Sequence, residues 1–327
     1  MGSYEVVSLP GDGIGPEVTA SAVEVAQAAM AAHGGVSLEI TEHDASAERW
    51  KRTGVALPDE TLEAAHAADA ILMGAVGLVD ARHPDGREVN GDVILRLRFE
   101  LDLYAGIRPI RSFPTVPTPL RSDEPIDYVI VRENVEGLLA SSVTTIRDEV
   151  AVDQLTVTRA GTQRVVEAAF RLAERRAGRR RVASVDKSNA VGAYAFFRKV
   201  FDEVAATHPG VTPDHVYVDA MTAFQVLTPQ RFDVVVTENM FGDIISDLGG
   251  ATVGGLRPST RSSAPSWTRP SQTSTWPGWP PRSSRRWPPG PAWSTPPPRS
   301  SARRSTGSWT ASSATPRRPP SRPSWRS

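Results

Sequence analysis

The sequence predicts an α/β fold built on a large, mostly parallel sheet. Short runs rich in Val, Ile and Leu, typical of buried strands, alternate with longer runs typical of helices. Several of the apolar runs end in Gly, Asp or Lys, at the strand ends where open α/β sheets bind ligands. This pattern stops after Leu256, so the expected fold is confined to the first 256 residues.

The N-terminal part begins with a strand over residues 4–9 that runs into the segment PGDGIGPE. Its glycines force a tight turn, and Pro16 suits the first position of a helix. The expected elements that follow are a helix over 18–30, a strand over 36–41, a helix over 59–67, a strand over 70–73 and a helix over 92–104. Further strands are expected over 128–132, 182–185, 216–218 and 234–236, and further helices over 161–175, 190–206 and 241–248.

The segment 257–327 has a different composition. It holds 13 Arg, 7 of the 8 Trp and 16 of the 28 Pro, and it contains no Lys, Asp, Glu or aliphatic residue larger than Ala. Such a chain builds neither a periodic helix nor a sheet core. The segment is therefore predicted to be disordered.

The Trp-Pro pairs of this segment suggest its origin. Trp has the single codon TGG, and TGGCCN read one base earlier encodes Leu, Val or Met followed by Ala. Trp276-Pro277, Trp279-Pro280 and Trp287-Pro288 all convert in this way. We hypothesise a frame slip near Leu256, with an evolved Pro/Arg tail as the alternative. Sequencing the coding DNA tests this, and an intact frame shared with related genes contradicts it.

The composition of the first 256 residues limits the classes of function. They carry 24 basic and 37 acidic residues, a net charge of −13, which argues against a nucleic-acid partner. Absence of cysteine excludes disulfides and thiolate metal sites. No transmembrane or signal segment is visible, so a cytoplasmic protein is expected. Nucleic-acid binding by the Arg- and Trp-containing tail ranks lowest among the alternatives.

The segment TENMFGDIISD predicts a divalent-cation site. Asp243 and Asp247 are four residues apart, so both carboxylates share one helix face. Hard cations bind such oxygens. Asp219, expected at a strand end, is a third candidate ligand or only a helix cap. Lys187 also follows a strand and is either a solvated side chain or a base beside a bound cation.

Three arginines predict recognition of carboxylates. Arg98, Arg108 and Arg132 lie at expected strand or helix ends, and guanidinium groups bind carboxylates through two parallel hydrogen bonds. Near an acidic metal site they fit a dicarboxylic substrate. The loop Gly74-Ala75-Val76-Gly77 either lets backbone approach a ligand or is a plain turn. GDGIGP does not match the Rossmann fingerprint.

These motifs together resemble the isocitrate/isopropylmalate dehydrogenase family of β-hydroxyacid oxidative decarboxylases. The matching segments are LPGDGIGPEV, GAVG, LRFELDLYAGIRP, VRENVEG, VDKSN, YVDAM and TENMFGDIISD, in the order and spacing of the family from Tyr4 to about Gly255. The resemblance implies a two-domain fold, with a cofactor-side domain over 1–100 and a substrate, metal and dimerisation domain over 101–256.

The resemblance further implies a homodimer with a shared active site. Asp243 and Asp247 would bind Mg²⁺ or Mn²⁺ with Asp219 of the partner subunit, and Lys187 of the partner subunit would move the proton of the substrate 2-hydroxyl. The carboxylates would be held by Arg98, Arg108 and Arg132. NAD would accept the hydride, with Ile14 and residues 74–77 on its nicotinamide side.

Two departures from the family pattern stand out. The family usually has Tyr seven residues after the third arginine as a proton donor, where this chain has Leu139, which cannot donate a proton. The adenosine-binding loop expected after residue 256 is absent in this reading frame. An inactive family member lacking the cofactor loop is therefore one alternative.

Ile94 and Leu95 favour 3-isopropylmalate as the substrate, because isocitrate enzymes need Ser and Asn in that helix turn for a third carboxylate. Asp92 would also repel an added carboxylate. The segment IRPIRSFPTVPTPL resembles the tartrate and D-malate dehydrogenases, so these hydroxy acids remain the alternative substrates.

Overall fold

The computed structural model describes residues 2–255, except residues 121, 123, 142, 143, 147, 148 and 177. Within this part of the chain, helices pack on two sheets whose strands are mostly parallel. The predicted α/β class is thus confirmed. The predicted disorder of 257–327 lies outside the described residues.

The first sheet is formed by the N-terminal elements. In chain order these are β1 (Gly2–Leu9), α1 (Gly15–His33), β2 (Val36–Glu42), α2 (Ala47–Thr53), α3 (Asp59–Ala67), β3 (Ala70–Met73) and α4 (Asn90–Glu100). The strand order is β2-β1-β3, and both pairings are parallel. Leu9, Leu57 and Val93 are buried in one cluster, so strand β1 and helix α4 share a core.

The second sheet is larger. Its part of the chain contains β4 (Ala105–Arg111), β5 (Asp127–Glu133), β6 (Thr144–Ile146), β7 (Ala151–Asp153), α5 (Arg159–Arg175), β8 (Arg181–Asp186), α6 (Gly192–Ala205), β9 (Thr212–Tyr217), α7 (Val218–Leu227), β10 (Val234–Thr237) and α8 (Asn239–Thr252). The order is β4-β5-β10-β8-β9, with only the β4–β5 pairing antiparallel. Strands β6 and β7 form a separate hairpin.

Both faces of the second sheet are covered. Phe170 of α5 and Phe201 of α6 pack with Val234 on one face. Met221 of α7 and Ile245 of α8 pack with Val235 on the other. All four residues of β10 are buried, which explains its continuous run of β-branched residues.

The structure corrects several predicted boundaries. Strand β9 runs from Thr212 to Tyr217 and Val218 begins a helix, so the strand predicted over 216–218 started four residues late and was wrong at its last residue. Helix α4 ends at Glu100 rather than at 104, because Asp102 adopts a left-handed backbone conformation with φ 46°. The short α2 and the strand β4, which contains Pro109, were not predicted. In the described residues, no helix is both long and apolar enough to cross a membrane.

A single histidine, His208, connects α5 to the loop after α6. His208 Nδ1 lies 2.8 Å from Glu174 and Nε2 lies 3.1 Å from Glu167, while the ring stacks on Phe170. Burial opposes protonation, but the hydrogen bonds to Glu174 and Glu167 outweigh it and raise the pKa of His208. The stabilising contribution is therefore complete below the unfolded-state pKa of about 6.5. It is lost as pH rises through the higher folded-state pKa.

We expect His208→Gln to lower the free energy of unfolding by about 1.5–3 kcal/mol near pH 6, since charge-assisted hydrogen bonds contribute about this much. The difference from the wild type should shrink as the pH rises to 9. Urea unfolding at several pH values measures it. His33→Gln is the control, because among the described residues the His33 ring hydrogen-bonds only to the carbonyl of Gly34. A difference that does not change with pH contradicts the prediction.

Candidate active site

Two of the three arginines singled out from the sequence share one face of the second sheet. Gly106 pairs with Arg132 in the antiparallel register of β4 and β5, so Arg108 lies diagonally across from Arg132 on the same side. This is the face that packs against α7 and α8, because Ile110 and Ile130 belong to the core on that side. The third, Arg98, is in the last turn of α4.

Arg132 is the most enclosed of these arginines, with 2% of its side chain exposed. Its Nε and Nη2 atoms donate to Asn239 Oδ1 at 3.1 and 2.7 Å. Its Nη1 atom donates to Asp243 Oδ1. Asn239 is itself fixed, because its Nδ2 atom donates to the carbonyl of Glu136 at 2.8 Å. The guanidinium is thus locked at the start of α8.

The charges of the three arginines act on one another. Burial lowers the pKa of Arg98 first, and the positive charges of Arg132 and Arg108 lower it further. Burial also lowers the pKa of Arg132, with Asp243 opposing and Arg108 adding to the decrease. Three guanidinium groups therefore lie close enough to repel, and a bound anion would relieve this repulsion.

Arg98 and Arg108 remain available for a ligand. Within the part of the chain that the structure describes, neither guanidinium group makes a hydrogen bond or an ion pair. Each guanidinium carries five N–H donors. The arrangement therefore offers two unengaged guanidinium groups beside a third that is shared with Asp243, which suits a ligand with more than one carboxylate.

A glycine on α8 makes room for Arg132. A Cβ atom added at Gly242 would lie 2.5 Å from Arg132 Cγ and 2.7 Å from Arg132 Cβ. These distances are too short for any carbon pair, and Arg132 cannot move without losing its bonds to Asn239. Gly242 is therefore required for the close packing of Arg132 against α8, not for the conformation of the helix.

We expect Gly242→Ala to destabilise the protein by about 1–3 kcal/mol, as overpacked cores do, and to weaken binding of a dicarboxylic acid such as D-malate. Chemical unfolding and ligand titration measure the two effects. Gly192→Ala is the matched control, because a Cβ there meets no atom within 4 Å at the start of α6. Equal stability of the two variants contradicts the role given to Gly242.

The predicted metal-binding carboxylates are exposed on α8. Asp243 and Asp247 lie one helical turn apart, and 51% of the Asp243 side chain is exposed. Among the described residues, no group of three or more His, Asp or Glu side chains is placed to hold a metal ion. Asp219 thus does not join Asp243 and Asp247 within one chain, and its contribution from a partner subunit stays a prediction.

Lys187 and Asp219 form an ion pair. Lys187 follows β8 directly, and its Nζ atom donates to Asp219 Oδ1 at 2.6 Å. This hydrogen bond is the main cause that lowers the pKa of Asp219. Asp219 belongs to the first turn of α7, so it is neither the end of a strand nor the residue that caps the helix, as the sequence had suggested.

The glycine-rich loops after β1 and β3 are joined through Asp12. This buried carboxylate accepts hydrogen bonds from the backbone N–H groups of Ala47 at 2.8 Å, Glu48 at 2.9 Å and Gly77 at 2.9 Å. A Cβ at Gly74 would lie 2.1 Å from the carbonyl oxygen of Pro10. Gly74 is therefore needed for packing of one loop on the other.

A cavity of about 560 Å³ opens beside these loops, lined in part by Pro10, Gly11, Thr19 and His43. The hydroxyl of Thr19 is buried and has no hydrogen-bond partner among the described residues. Ile14 is 57% exposed, and Ala75 is exposed with Val76 half-buried beside it. Exposed backbone and apolar groups next to an unpartnered hydroxyl fit the edge of a nucleotide cofactor.

Comparison with known proteins identifies the family. The sequence model of the isocitrate/isopropylmalate dehydrogenase family matches residues 5–267. The chain belongs to this family. The match reaches past Leu256 into the Arg- and Pro-rich segment.

Relatives and solved structures agree with this assignment. The chain is similar to the 3-isopropylmalate dehydrogenase of Streptomyces griseus, with 42% identity over 259 residues covering 78% of this chain and 73% of the relative. It is 44% identical to that of Frankia casuarinae over 253 residues, covering 76% and 71%. The fold resembles isocitrate dehydrogenase from Methylococcus capsulatus, with a TM-score of 0.67, 34% identity and coverage of 77% and 72%. Membership makes this chain an oxidoreductase of the dehydrogenase class.

The helix expected to choose the substrate in this family is α4. Ile94 and Leu95 are half-buried and lie four and three residues before Arg98, so all three share a helix face. Asp92 is paired with His83, whose Nε2 atom lies 2.9 Å from its Oδ2 atom. The sequence alone suggested that the Asp92 carboxylate would repel an added carboxylate of a substrate. In the structure, this carboxylate is paired with His83.

The residue at the family's usual tyrosine position is solvent-accessible. Leu139 is 41% exposed and lies in a 3₁₀ helix, Leu138–Ala140, that follows Gly137. The Leu139 side chain has no hydroxyl group, so it cannot donate a proton as a tyrosine at this position would.

Three positioning residues were missed from the sequence. Asn239 holds Arg132, Gly242 admits it, and Asp12 joins the loops. A glycine inside a predicted helix signals close packing, so Gly242 could have been found. Asn239 and Asp12 look like ordinary helix-start and turn residues, and nothing local distinguishes them.

Proposed function

We propose that this protein catalyses NAD- and Mg²⁺- or Mn²⁺-dependent oxidative decarboxylation of 3-isopropylmalate to 2-oxo-4-methylpentanoate, a step of leucine biosynthesis. The observation that carries the proposal is the convergence of Arg98, Arg108 and Arg132 next to Asp243. The proposal includes a cytoplasmic homodimer with shared active sites.

The arginines bind and orient the substrate. Arg98 and Arg108 use their unengaged donors on the substrate carboxylates, and Arg132 adds a third guanidinium fixed by Asn239. Lys187 of the partner subunit, once its Nζ atom has released a proton to solvent, accepts the proton of the 2-hydroxyl at that atom. The electrons of the C–H bond leave as hydride, giving a β-keto acid that loses CO₂.

Asp243 and Asp247 would hold the divalent cation with Asp219 of the partner subunit, because carboxylate oxygens are the ligands such cations prefer. The cation, when bound, supplies Lewis-acid stabilisation of the charge that develops as CO₂ leaves. NAD, when bound, accepts the hydride, and Ile14 with Gly74, Ala75, Val76 and Gly77 would contact its nicotinamide side. The exposure of Ile14 and Ala75 and the unpartnered Thr19 hydroxyl support this placement.

The half-buried Ile94 and Leu95 favour the apolar isopropyl group, in keeping with relatives named 3-isopropylmalate dehydrogenase. The test is a steady-state assay of the purified protein with NAD⁺, Mn²⁺ and each of 3-isopropylmalate, D-malate, tartrate and isocitrate. We expect the highest kcat/KM with 3-isopropylmalate. Equal values for 3-isopropylmalate and D-malate contradict the preference and favour the tartrate/D-malate alternative, which the segment around β4 supports.

An inactive protein is the alternative from another class, supported by Leu139. NAD⁺ titration of this chain separates the two possibilities. Micromolar binding contradicts the inactive protein, whereas absence of binding together with absence of turnover supports it.

We expect Leu139→Tyr to raise kcat by about 10-fold or more, because a positioned proton donor contributes about 10²–10⁴-fold to a proton transfer. The side chain is 41% exposed, so the larger tyrosine fits without crowding the core. Leu139→Phe is the control for size, and kcat from initial rates is the measurement. Equal turnover of the Tyr and Phe variants shows that the hydroxyl gives no advantage.

A further inference from the structure

Lys187 and Asp219 are brought together by two neighbouring strands. Asp186, the last residue of β8, is the register partner of Tyr217, the last residue of β9. Lys187 follows Asp186 directly, and Asp219 comes two residues after Tyr217. Their ion pair is exposed, with 31% and 66% of the two side chains accessible. An exposed pair of this kind contributes little by itself and does not fix its own geometry.

The strand ends are fastened from α6. Asp186 is 1% exposed, and its two carboxylate oxygens accept hydrogen bonds from Arg198 at distances of 2.9 and 2.8 Å. The same carboxylate accepts the backbone N–H of Ser188 at 2.9 Å. A carboxylate buried this deeply is costly without a cation, so Arg198 holds the whole Asp186-Lys187-Ser188 turn.

Arg198 also contacts the second strand. Its guanidinium lies over the ring of Tyr217, 5.0 Å from the ring centre. The guanidinium of Arg198 therefore binds Asp186, the residue before Lys187, through two hydrogen bonds. It also stacks on Tyr217, which lies two residues before Asp219. A lysine could not make the same pair of parallel hydrogen bonds to Asp186, because an ammonium group has no planar fork.

We propose that Arg198 is the positioning residue that sets the distance and orientation of Lys187 relative to Asp219. This inference rests on the function proposed above, in which Lys187 moves a proton and Asp219 binds the cation. Arg198 itself touches neither residue in the described structure, and it acts through Asp186 and Tyr217.

The test compares Arg198→Lys with Arg159→Lys in the full-length protein. Arg159 is the matched control, because its guanidinium also binds a carboxylate, Glu203, and lies over a ring, Phe196, but makes no hydrogen bond to the Asp186-Lys187-Ser188 turn in the described part of the chain. For Arg198→Lys we expect kcat and Mn²⁺ affinity each to fall by about 10–100-fold, as when partners of metal ligands are removed. KM for the hydroxy acid should change by less than about threefold, because the substrate carboxylates are proposed to bind to Arg98, Arg108 and Arg132 and not to the residues that Arg198 positions.

Hydrogen exchange gives a readout that does not depend on turnover. The amides of Ser188, Ala190 and Val191 bond to Asp186 or to the carbonyl of Lys187, and Arg198→Lys should make them exchange about tenfold faster. Tyr217→Leu, which keeps the Asp186 pair, should lower Mn²⁺ affinity while leaving the Ser188 amide protected.

The outcomes separate the two proposals. If the wild type turns over none of the hydroxy acids but the exchange and Mn²⁺ effects appear, the positioning role stands and the proposed function fails. If Arg198→Lys keeps wild-type exchange, Mn²⁺ affinity and kcat within about twofold, or if Arg159→Lys gives the same losses, the positioning role is overturned.

Discussion

Arg132→Lys is expected to lower kcat/KM for the hydroxy acid by about 100–1,000-fold. Lysine keeps the charge but loses the fork that Arg132 shares between Asn239 and Asp243. Disrupting a buried, hydrogen-bonded charge costs about 2–5 kcal/mol, and each 1.36 kcal/mol is about tenfold in rate. Most of the loss should appear as a higher KM, since the arginine binds the substrate carboxylate.

The control for this variant is Arg111→Lys. Arg111 lies on the same strand as Arg108 but is exposed and contacts the ring of Phe113, so its kinetics should match the wild type. Urea unfolding must accompany the rates, because Arg132→Lys also removes bonds that hold the start of α8. A kcat/KM within about threefold of the wild type would show that Arg132 does not bind the substrate carboxylate.

Asp243→Asn is expected to abolish Mn²⁺ binding at micromolar concentrations and to lower kcat by about 1,000-fold. An amide carries no charge, so it is a poor ligand for a hard cation, and loss of one such group weakens the stabilisation of developing charge by about 3–4 kcal/mol. Isothermal titration with Mn²⁺ and initial rates measure the two effects. Asp85→Asn, a surface pair partner of Arg87, is the control.

Asp247→Asn separates the two roles of Asp243. Both aspartates are predicted to bind the cation, but only Asp243 pairs with Arg132. Without metal, Asp243→Asn should therefore lower the free energy of unfolding by about 1–2 kcal/mol, because the buried guanidinium of Arg132 loses the negative charge beside it. The effect is moderate, since the Asp243 side chain is half-exposed. Asp247→Asn should leave that free energy unchanged. Wild-type Mn²⁺ affinity in both variants would contradict the predicted metal site.

Much of the fold followed from periodicity. The bounds of α3 and β3 agree with the residues predicted, because apolar spacing and flanking turns coincide there. Strand β4 was not predicted, since Pro109 and two arginines hide its alternation. The boundary between β9 and α7 was misplaced because Val216, Tyr217 and Val218 are all good strand residues. Val218 is nevertheless the first residue of α7, the helix that buries Met221.

Part of the candidate site could likewise be predicted from the sequence, and part could not. Residue chemistry and motif order pointed to Arg98, Arg108, Arg132, Asp243 and Asp247, and the structure places the three arginines with Asp243. The pairing of Lys187 with Asp219 was not predictable, because it depends on the register of β8 with β9. Whether Asp219 reaches a second chain stays a prediction, as does the division into domains at residue 100.

The buried carboxylate of Asp12 has a consequence for how a ligand would bind. It joins its own loop to the start of α2, 35 and 36 residues further along the chain, and to Gly77, 65 residues further along. The loop after β1 and the loop after β3 are consequently ordered by the protein's own hydrogen bonds. A molecule that settles against them does not have to restrict their conformational freedom, so little of its interaction energy is lost to entropy. Loosening this link by Asp12→Asn would weaken binding on both loops together, although the side chain itself touches no ligand.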